Sequence, residues 1–306
     1  MGYNKSTMVA KETPYQIGSI GSVAYNLLSQ ENDAILFSII SRGIFIKFCN
    51  DKMIFLSFEN YRGPITANLP MDQLDFPELH QEDRIEILKG KLWFPDLKIT
   101  ISCDNAEIWH PIQIIKQPPS DINRKSLIRE FAIATNQQIK PGRQSSLHPT
   151  LLDYSMGMNH LPDLVSGIRK SVNNLREHFK RGESKELLRD LYSFLGLGNG
   201  LTPSGDDFVL GFFLSLNRWS SALQTKLDLS VLNQSIIEAA YHETTTISAN
   251  LIECACSGLA DERLIKAVDF LAVGNSSIPE VLEGILSWGN SSGVDALVGM
   301  MTAFLL

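Results

Sequence analysis

Through residue 115 the apolar positions fall in short runs rich in β-branched and aromatic residues. Three of these runs are AILFSII (34–40), GIFIKFC (43–49) and KMIFLSF (52–58), and turn residues separate them. Runs of this length and composition, bounded by turn signals, are typical of β-strands. The pattern therefore predicts a mostly antiparallel β domain at the N-terminal end of the chain.

After the segment KQPPSD (116–121) the spacing of apolar residues changes to three and four, for example in LIREFAIA (127–134) and KELLRDLYSFL (185–195). This spacing is the period of an amphipathic helix. We therefore expect an α+β protein with a β-rich domain over residues 1–117 and a helical domain over residues 118–306. Ser120 or Asp121 is the expected N-cap of the first helix.

Composition narrows the possible partners. The chain has 306 residues, of which 44% are hydrophobic and 20% charged, and its formal net charge is −7. A negative chain without basic runs is a poor ligand for nucleic acid. No stretch has the pattern of a signal peptide or a membrane span, so we expect a cytoplasmic protein that does not bind membranes.

A stretch rich in glycine occurs twice in the helical part of the chain. GLGNGLTPSGDDFVLG (196–211) and GNSSGVDALVG (289–299) share the pattern Ser-Gly-x-Asp-x-x-x-Gly. The shared positions are Ser204, Gly205, Asp207 and Gly211 in the first copy, and Ser292, Gly293, Asp295 and Gly299 in the second. We expect helices to begin near the two serines and their N-termini to converge on one pocket.

Two interpretations of the repeated pattern remain open. In the first, Ser and Asp form a capping box at each helix start. In the second, the bare backbone at Gly205 and Gly293 lets a small anion approach the free N–H groups of two helix N-termini. The final glycines, Gly211 and Gly299, are expected to let two helices cross closely.

The carboxylates of the motif, Asp206, Asp207 and Asp295, are the candidate catalytic residues. They would either cap their helices or contact the ligand. As ligand contacts they would hold a divalent cation such as Mg²⁺, or accept hydrogen bonds from an amide-bearing substrate. The pattern requires no cofactor.

The remaining candidates are expected to bind substrate through backbone N–H, hydroxyl or amide groups. Thr245 and Ser248 are included because hydroxyl residues crowd the start of a helix that lies between the two copies. His242 precedes this group and receives no role. The predicted substrate-binding residues are Gly198, Asn199, Gly200, Thr202, Ser204, Gly205, Thr245, Ser248, Asn290, Ser292 and Gly293.

Together with the β-domain segment YRGPITANL (61–69), the two glycine-rich motifs resemble the oxamate carbamoyltransferase subunit family, AllH-like, over most of the chain. The resemblance implies a subunit of an enzyme in allantoin and purine breakdown. That enzyme interconverts oxalurate and phosphate with oxamate and carbamoyl phosphate. Its other components would be an acyl-CoA-synthetase-like subunit and a further carbamoyltransferase subunit.

Two positions depart from the family pattern, which often has proline at the position of Asn199 and histidine at the position of Asn290. Asparagine at 290 keeps a hydrogen bond but cannot transfer a proton at neutral pH. Two other functions compete with an enzyme component. The chain would be a non-catalytic assembly subunit, or a module that binds a metabolite without turnover.

Overall fold

The computed structural model describes residues 15–30, 32–70, 79–114, 121–140, 145–157, 167–223 and 227–306. The chain divides into two compact units, Met1–His110 and Pro111–Leu306. The first holds the strands and one helix, and the second holds the remaining helices, so the protein is α+β overall. The expected domain boundary between residues 117 and 118 and the expected N-cap at Ser120 lie outside the described residues.

The first unit is built on one sheet of ten described strands. Their spatial order is β1-β9-β8-β7-β3-β4-β5-β6-β2-β10. The strands are β1 Tyr15–Gln16, β2 Ser19–Gly21, β3 Asn32–Ile40, β4 Gly43–Phe48, β5 Met53–Ser57, β6 Thr66–Asn68, β7 Arg84–Leu88, β8 Lys91–Phe94, β9 Ile99–Ser102 and β10 Glu107–Trp109.

The three apolar runs recognised in the sequence are strands β3, β4 and β5, which pair antiparallel in sequence order. The expectation of a mostly antiparallel sheet is wrong, because the described sheet is mixed. β1 pairs parallel with β9, β10 with β2, and β5 with β6. Short helix α1, Ser22–Leu28, was also not expected, and its buried Ala24 and Leu28 join the core of the sheet.

The second unit contains eleven helices among its described residues. They are α2 Asp121–Gln138, α3 His148–Ser155, α4 Ile168–Arg181, α5 Ser184–Tyr192, α6 Ser204–Arg218, α7 Ser220–Leu223, α8 Leu229–Glu243, α9 Thr246–Cys256, α10 Glu262–Val273, α11 Ile278–Ser287 and α12 Ser292–Phe304. Within the described ranges, no helix is both long and apolar enough to cross a bilayer.

Helices α6 and α12 form the centre of this unit. Most of their residues are buried on every side, from Gly205 to Leu216 in α6 and from Gly293 to Phe304 in α12. The two helices pack against each other, and α6 also packs against α9. A helix that is apolar all round is typical of a protein interior, with its neighbours covering every face. The unit is therefore organised around the two helices that carry the repeated motif.

Candidate functional site

The helix starts predicted from the repeated motif are confirmed: α6 begins at Ser204 and α12 begins at Ser292. Their N-termini also converge. The hydroxyl of Thr202, just before α6, lies 3.1 Å from the hydroxyl of Ser292 in a hydrogen bond across 90 residues of sequence. The two copies of the motif therefore meet at one place in the helical unit.

The capping-box interpretation of the motif is wrong. The N-cap residues are Pro203 and Ser291, and neither makes a side-chain capping hydrogen bond. Ser204 and Ser292 are instead the first helical residues. The motif serine and aspartate of each copy are thus left for contacts other than capping their own helix.

The final glycine of each motif lets the two helices cross in close contact. A Cβ atom at Gly211 would lie 1.9 Å from the carbonyl oxygen of Ala296, and one at Gly299 would lie 2.1 Å from that of Phe208. The contact is reciprocal, because each glycine meets the residue four positions after the serine of the other copy. Such reciprocity is what an approximate two-fold axis between α6 and α12 produces, and it confirms the expected close crossing.

The first glycine of each motif also meets a backbone carbonyl rather than open space. A Cβ atom at Gly205 would lie 2.0 Å from the carbonyl oxygen of Phe194, and one at Gly293 would lie 1.9 Å from that of Ile285. The carbonyl belongs to the helix or turn that leads into each motif. Packing alone therefore requires glycine at these positions, whether or not a ligand approaches them.

The three aspartates of the motif are buried: Asp206 and Asp207 are 1% exposed and Asp295 is 0% exposed. Burial in a low-dielectric interior disfavours a charged carboxylate and is the main reason that all three have raised pKa values. A buried carboxylate is costly unless it is protonated, hydrogen-bonded or paired with a cation. The three side chains differ in the hydrogen bonds and neighbouring groups that offset this cost.

Asp206 is hydrogen-bonded within the chain through both of its carboxylate oxygens. Oδ1 accepts from the backbone N–H of Gly196 at 2.8 Å, and Oδ2 accepts from the hydroxyl of Thr244. Nearby, Thr245 donates to the carbonyl of Leu201 at 2.7 Å. These bonds hold the glycine-rich loop, residues 193–203, against the start of α9. The arrangement favours a positioning role for Asp206 over the predicted catalytic one.

Asp207 faces the other copy of the motif. After burial, the charge of Asp295 is the next largest cause that raises its pKa well above the ordinary value, while the hydroxyls of Ser292 and Thr202 lower it. Ser292 is the first helical residue of α12. The carboxylate of one copy thus lies beside the serine of the other.

Asp295 has the reciprocal surroundings. Burial raises its pKa to about 7, against the lowering influence of the hydroxyls of Ser145, Ser204 and Ser291. Ser204 is the first helical residue of α6, so this carboxylate also lies beside the serine of the other copy. A carboxyl whose pKa is near neutrality can both give and take a proton under physiological conditions.

Several oxygens of this pair have no hydrogen-bond partner among the described residues. They are Oδ2 of Asp207 and both carboxylate oxygens of Asp295. The neighbouring hydroxyls influence the pKa values, but none is placed for a hydrogen bond of ordinary geometry to these atoms. Because buried polar atoms are nearly always hydrogen-bonded, the exceptions mark a functional site or the place of a bound molecule.

The loop that precedes α6 supplies most of the remaining predicted residues, and it is exposed. Gly198, Asn199 and Gly200 lie at its surface, and Asn290 is exposed in the shorter loop before α12. Gly198 has a φ of +122°, and a Cβ atom there would lie 2.8 Å from the nitrogen of Ser204. Only glycine suits that position, because it combines a left-handed backbone with close contact.

The structure brings most of the predicted residues together. Ser248 is buried near Asp206 and influences its pKa, and the side chain of Thr245 caps α9 by accepting from the N–H of Ser248 at 3.1 Å. His242 lines a surface cavity of about 420 Å³ together with Tyr192 and Glu238.

Three hydroxyl residues near the carboxylates were not among the predicted site residues: Ser145, Thr244 and Ser291. Ser291 directly precedes the second motif, and Thr244 starts the hydroxyl-rich segment, so both carried a local signal. Ser145 lies in a polar connection between α2 and α3. No local pattern relates that connection to Asp295, which follows 150 positions later.

The residues of the site do not form a conventional metal centre. Over the described part of the chain, no group of three or more His, Cys, Asp and Glu side chains is placed to hold a metal ion. Asp207 and Asp295 provide two carboxylates surrounded by hydroxyls. A divalent cation at this place would need several of its ligands from hydroxyls, water or a substrate.

Comparison with known protein families identifies part of the second unit. Residues 194–304 match the family model described as oxamate carbamoyltransferase subunit AllH. The predicted resemblance to the AllH-like family is confirmed over this segment, which contains both copies of the motif but not YRGPITANL in the first unit. Searches of curated proteins and of solved structures gave no match.

Proposed function

We propose that this AllH-like chain is a catalytic component of an oxamate carbamoyltransferase, and that the N-termini of α6 and α12 form its substrate pocket. The reaction would convert oxalurate and phosphate into oxamate and carbamoyl phosphate, as a step in allantoin and purine breakdown. One observation carries the proposal: the segment matched by the family model contains a buried carboxylate pair, Asp207 and Asp295, with oxygens that no described residue hydrogen-bonds.

The chemistry of the reaction suits a carboxyl with a raised pKa. When a phosphate oxygen attacks the carbamoyl carbon of oxalurate, a C–O bond forms and the C–N bond to the oxamate nitrogen breaks. That nitrogen must take up a proton as it leaves. A protonated carboxyl with a pKa near 7, such as Asp295, is a suitable general acid. In the reverse direction the same carboxylate would accept the proton.

Asp207 and the loop would position the substrate. Asp207 would accept a hydrogen bond from the carbamoyl group, while Asp206 holds the loop over the pocket through Gly196 and Thr244. Carbamoyl phosphate is already an activated compound, so positioning supplies much of the rate enhancement and no enzyme nucleophile is required. The partner chains would be the acyl-CoA-synthetase-like subunit and the further carbamoyltransferase subunit.

The test is carbamoyl transfer by the reconstituted complex, measured in both directions. We expect Asp207→Asn and Asp295→Asn each to lower kcat at least about a hundredfold, the usual contribution of a positioned acid or base. Glu283→Gln is the matched control, because Glu283 is an exposed carboxylate on α11. Folded, assembled Asp207→Asn and Asp295→Asn complexes with normal turnover would disprove the catalytic role.

A non-catalytic assembly role is the second candidate, and one observation favours it. Gly205 and Gly293 are required by packing against backbone carbonyls, so their presence needs no ligand. Under this alternative the loop residues Leu197 and Leu201, which are 40% and 42% exposed, would contact a partner chain. Leu197→Ser with Leu201→Ser would then prevent assembly, while both Asp→Asn variants would retain full turnover.

A further inference from the structure

Three backbone N–H groups in the first turn of each of the two helices are already used within the chain. In α6 the first-turn N–H groups donate to the carbonyls of Leu197 and Pro203. In α12 they donate to the carbonyls of Trp288 and Ser291. The bonds are Gly205 N to Leu197 O (2.8 Å), Asp206 N and Asp207 N to Pro203 O (3.0 and 3.1 Å), Gly293 N to Trp288 O (2.9 Å), and Val294 N and Asp295 N to Ser291 O (2.9 and 3.0 Å).

The atoms of the site that lack partners among the described residues are carboxyl oxygens, which accept hydrogen bonds when ionised and still accept through one oxygen when protonated. Oδ2 of Asp207 and both oxygens of Asp295 are buried and unpartnered among the described residues. The charged groups that act on this pair are carboxylates, and no Lys or Arg of the described chain is among the causes that shift their pKa values. A phosphate or carboxylate placed there would meet the ionised form of this pair as like charge, and the described residues supply no cation among the groups that shift these pKa values.

The reciprocal arrangement of the two carboxylates suits a small planar group with N–H bonds on both sides. Asp207 and Asp295 approach from opposite helices, and each lies beside the serine of the other copy. The NH₂ of a carbamoyl or ureido group offers two diverging N–H donors in one plane. A metal ion fits less well, because no three His, Cys, Asp or Glu side chains of the described residues are placed to hold one, and the third carboxylate, Asp206, is bonded to Gly196 and Thr244.

We infer that Asp207 and Asp295 bind the N–H-bearing end of the substrate, a neutral carbamoyl, ureido or primary amide group, rather than its phosphate or carboxylate end. The inference rests on the proposed function and deepens it by assigning the pocket to one end of the substrate. The anionic end would then point away from the pair, and its charge would be met by groups outside this cluster.

The inference is tested by ligand binding to the isolated full-length chain, without partner subunits. Three probes are compared by ¹H–¹⁵N NMR titration: N-methylurea, inorganic phosphate and MgCl₂. We expect N-methylurea to shift the amide signals of residues 204–207 and 292–295 in a saturable manner, and phosphate and Mg²⁺ to leave them unchanged. In the double variant Asp207→Asn with Asp295→Asn, the affinity for N-methylurea should fall at least about tenfold, because the amide NH₂ of asparagine donates where a carboxylate oxygen accepted. Glu283→Gln should bind as the wild type does.

Four results would overturn the inference: saturable shifts with phosphate, saturable shifts with Mg²⁺, no shifts with N-methylurea, or equal N-methylurea binding by the double variant. A crystal structure of the chain with N-methylurea that places only ordered water between the two carboxylates would overturn it as well. The proposed function fails by a different observation, namely normal carbamoyl transfer by complexes that contain the Asn variants. The two failures are therefore distinguishable.

Discussion

The two copies of Ser-Gly-x-Asp-x-x-x-Gly differ in the loops that lead into them. In the first copy the loop of residues 193–203 lies between α5 and α6, and in the second the connection between α11 and α12 is residues 288–291. The helical parts make reciprocal contacts, whereas the loops do not correspond in length. We call the two helices α6 and α12 with their shared motif the framework. The loops that lead into the two helices are the part in which the copies differ.

One substitution between the copies sharpens this contrast. Asp206 in the first copy corresponds to Val294 in the second. Asp206 holds the long loop through Gly196 and Thr244, and the second copy has no long loop to hold. Asp207 and Asp295 therefore occupy the same position of the shared motif, whereas Asp206 has no counterpart and serves to hold the long loop.

The largest expected effect is a loss of stability when alanine replaces the final glycine of either motif. Similar losses from the two replacements would show that the two helices contribute equally to the crossing. Gly211→Ala and Gly299→Ala each place a Cβ atom about 2 Å from a carbonyl oxygen of the facing helix. Overpacking of a rigid backbone contact should lower the free energy of unfolding by about 3 kcal/mol or more. Urea denaturation of each variant measures the change.

Gly284→Ala on α11 is the control, because its Cβ atom would lie 3.5 Å from the Arg263 side chain, which is an ordinary contact. This variant should be neutral or more stable by up to about 1 kcal/mol, since alanine favours a helix. Equal tolerance of alanine at positions 211 and 284 would show that the close crossing is not rigid.

The second effect concerns pH and the carboxylate of the second copy. Because the pKa of Asp295 is raised to about 7 from 3.8, the folded chain holds a proton between these values that the unfolded chain releases. Asp295 therefore makes the free energy of unfolding fall as pH rises from about 4 to about 7, after which its contribution is constant. The fall is on the order of a few kcal/mol, since one pKa unit corresponds to about 1.4 kcal/mol.

Urea unfolding at about pH 5 and about pH 8 measures this dependence. Asp295→Asn should make it less steep, because asparagine does not titrate, while Asp206 and Asp207, whose pKa values are also raised, keep part of it. Glu283→Gln, at an exposed position, should leave the dependence as in the wild type. A wild-type slope retained by Asp295→Asn would contradict the raised pKa and would remove the general acid from the proposed reaction.

The third effect separates the loop from the framework. Asp206→Asn keeps the size of the side chain but weakens the bonds to Gly196 and Thr244, and should cost about 1–3 kcal/mol. Hydrogen exchange of the amide of Gly196 should speed up, while amides in the middle of α12 stay protected. Ser193→Ala is the control within the same loop, because that hydroxyl bonds only locally, to Asp190. If the amides throughout α6 and α12 lost protection from exchange to the same extent, Asp206 would stabilise the two helices rather than the loop.

The smallest effect concerns the hydroxyl contact between the copies. Thr202→Val removes the hydrogen bond to Ser292 and keeps the shape of the side chain, which should cost about 0.5–1.5 kcal/mol. Thermal and urea unfolding measure it. The double variant with Ser292→Ala should cost less than the sum of the two single variants, because both changes delete the same bond. Fully additive losses would show that the two hydroxyls act independently.

Sequence reasoning found the framework because its signal is local and repeated. A serine at a helix start and a glycine seven residues later define a face, and two copies with the same spacing indicate two similar helices in contact. The carbonyls that Gly205 and Gly293 meet could not be foreseen. They belong to Phe194 and Ile285, whose positions depend on how the preceding helices fold back.

The sheet was predicted in part for a similar reason. The apolar runs of β3, β4 and β5 identify strands, since alternation and β-branched residues report burial on a pleated surface. They do not report which strand pairs with which. Two of the three parallel pairs in the described sheet unite β1 with β9 and β2 with β10, which are short strands far apart in sequence. Strands of two to four residues have too little pattern to detect, and their pairing is decided by the whole unit.

The reciprocal crossing of α6 and α12 has a consequence for how this site can change over time. When two identical chains meet at a two-fold axis, any mutation appears on both sides at once, and the axis keeps both halves alike. Here both halves lie in one polypeptide, so each can vary alone. Asp206 facing a long loop in one half, and Val294 in the other, is a divergence that a symmetric dimer could not have acquired.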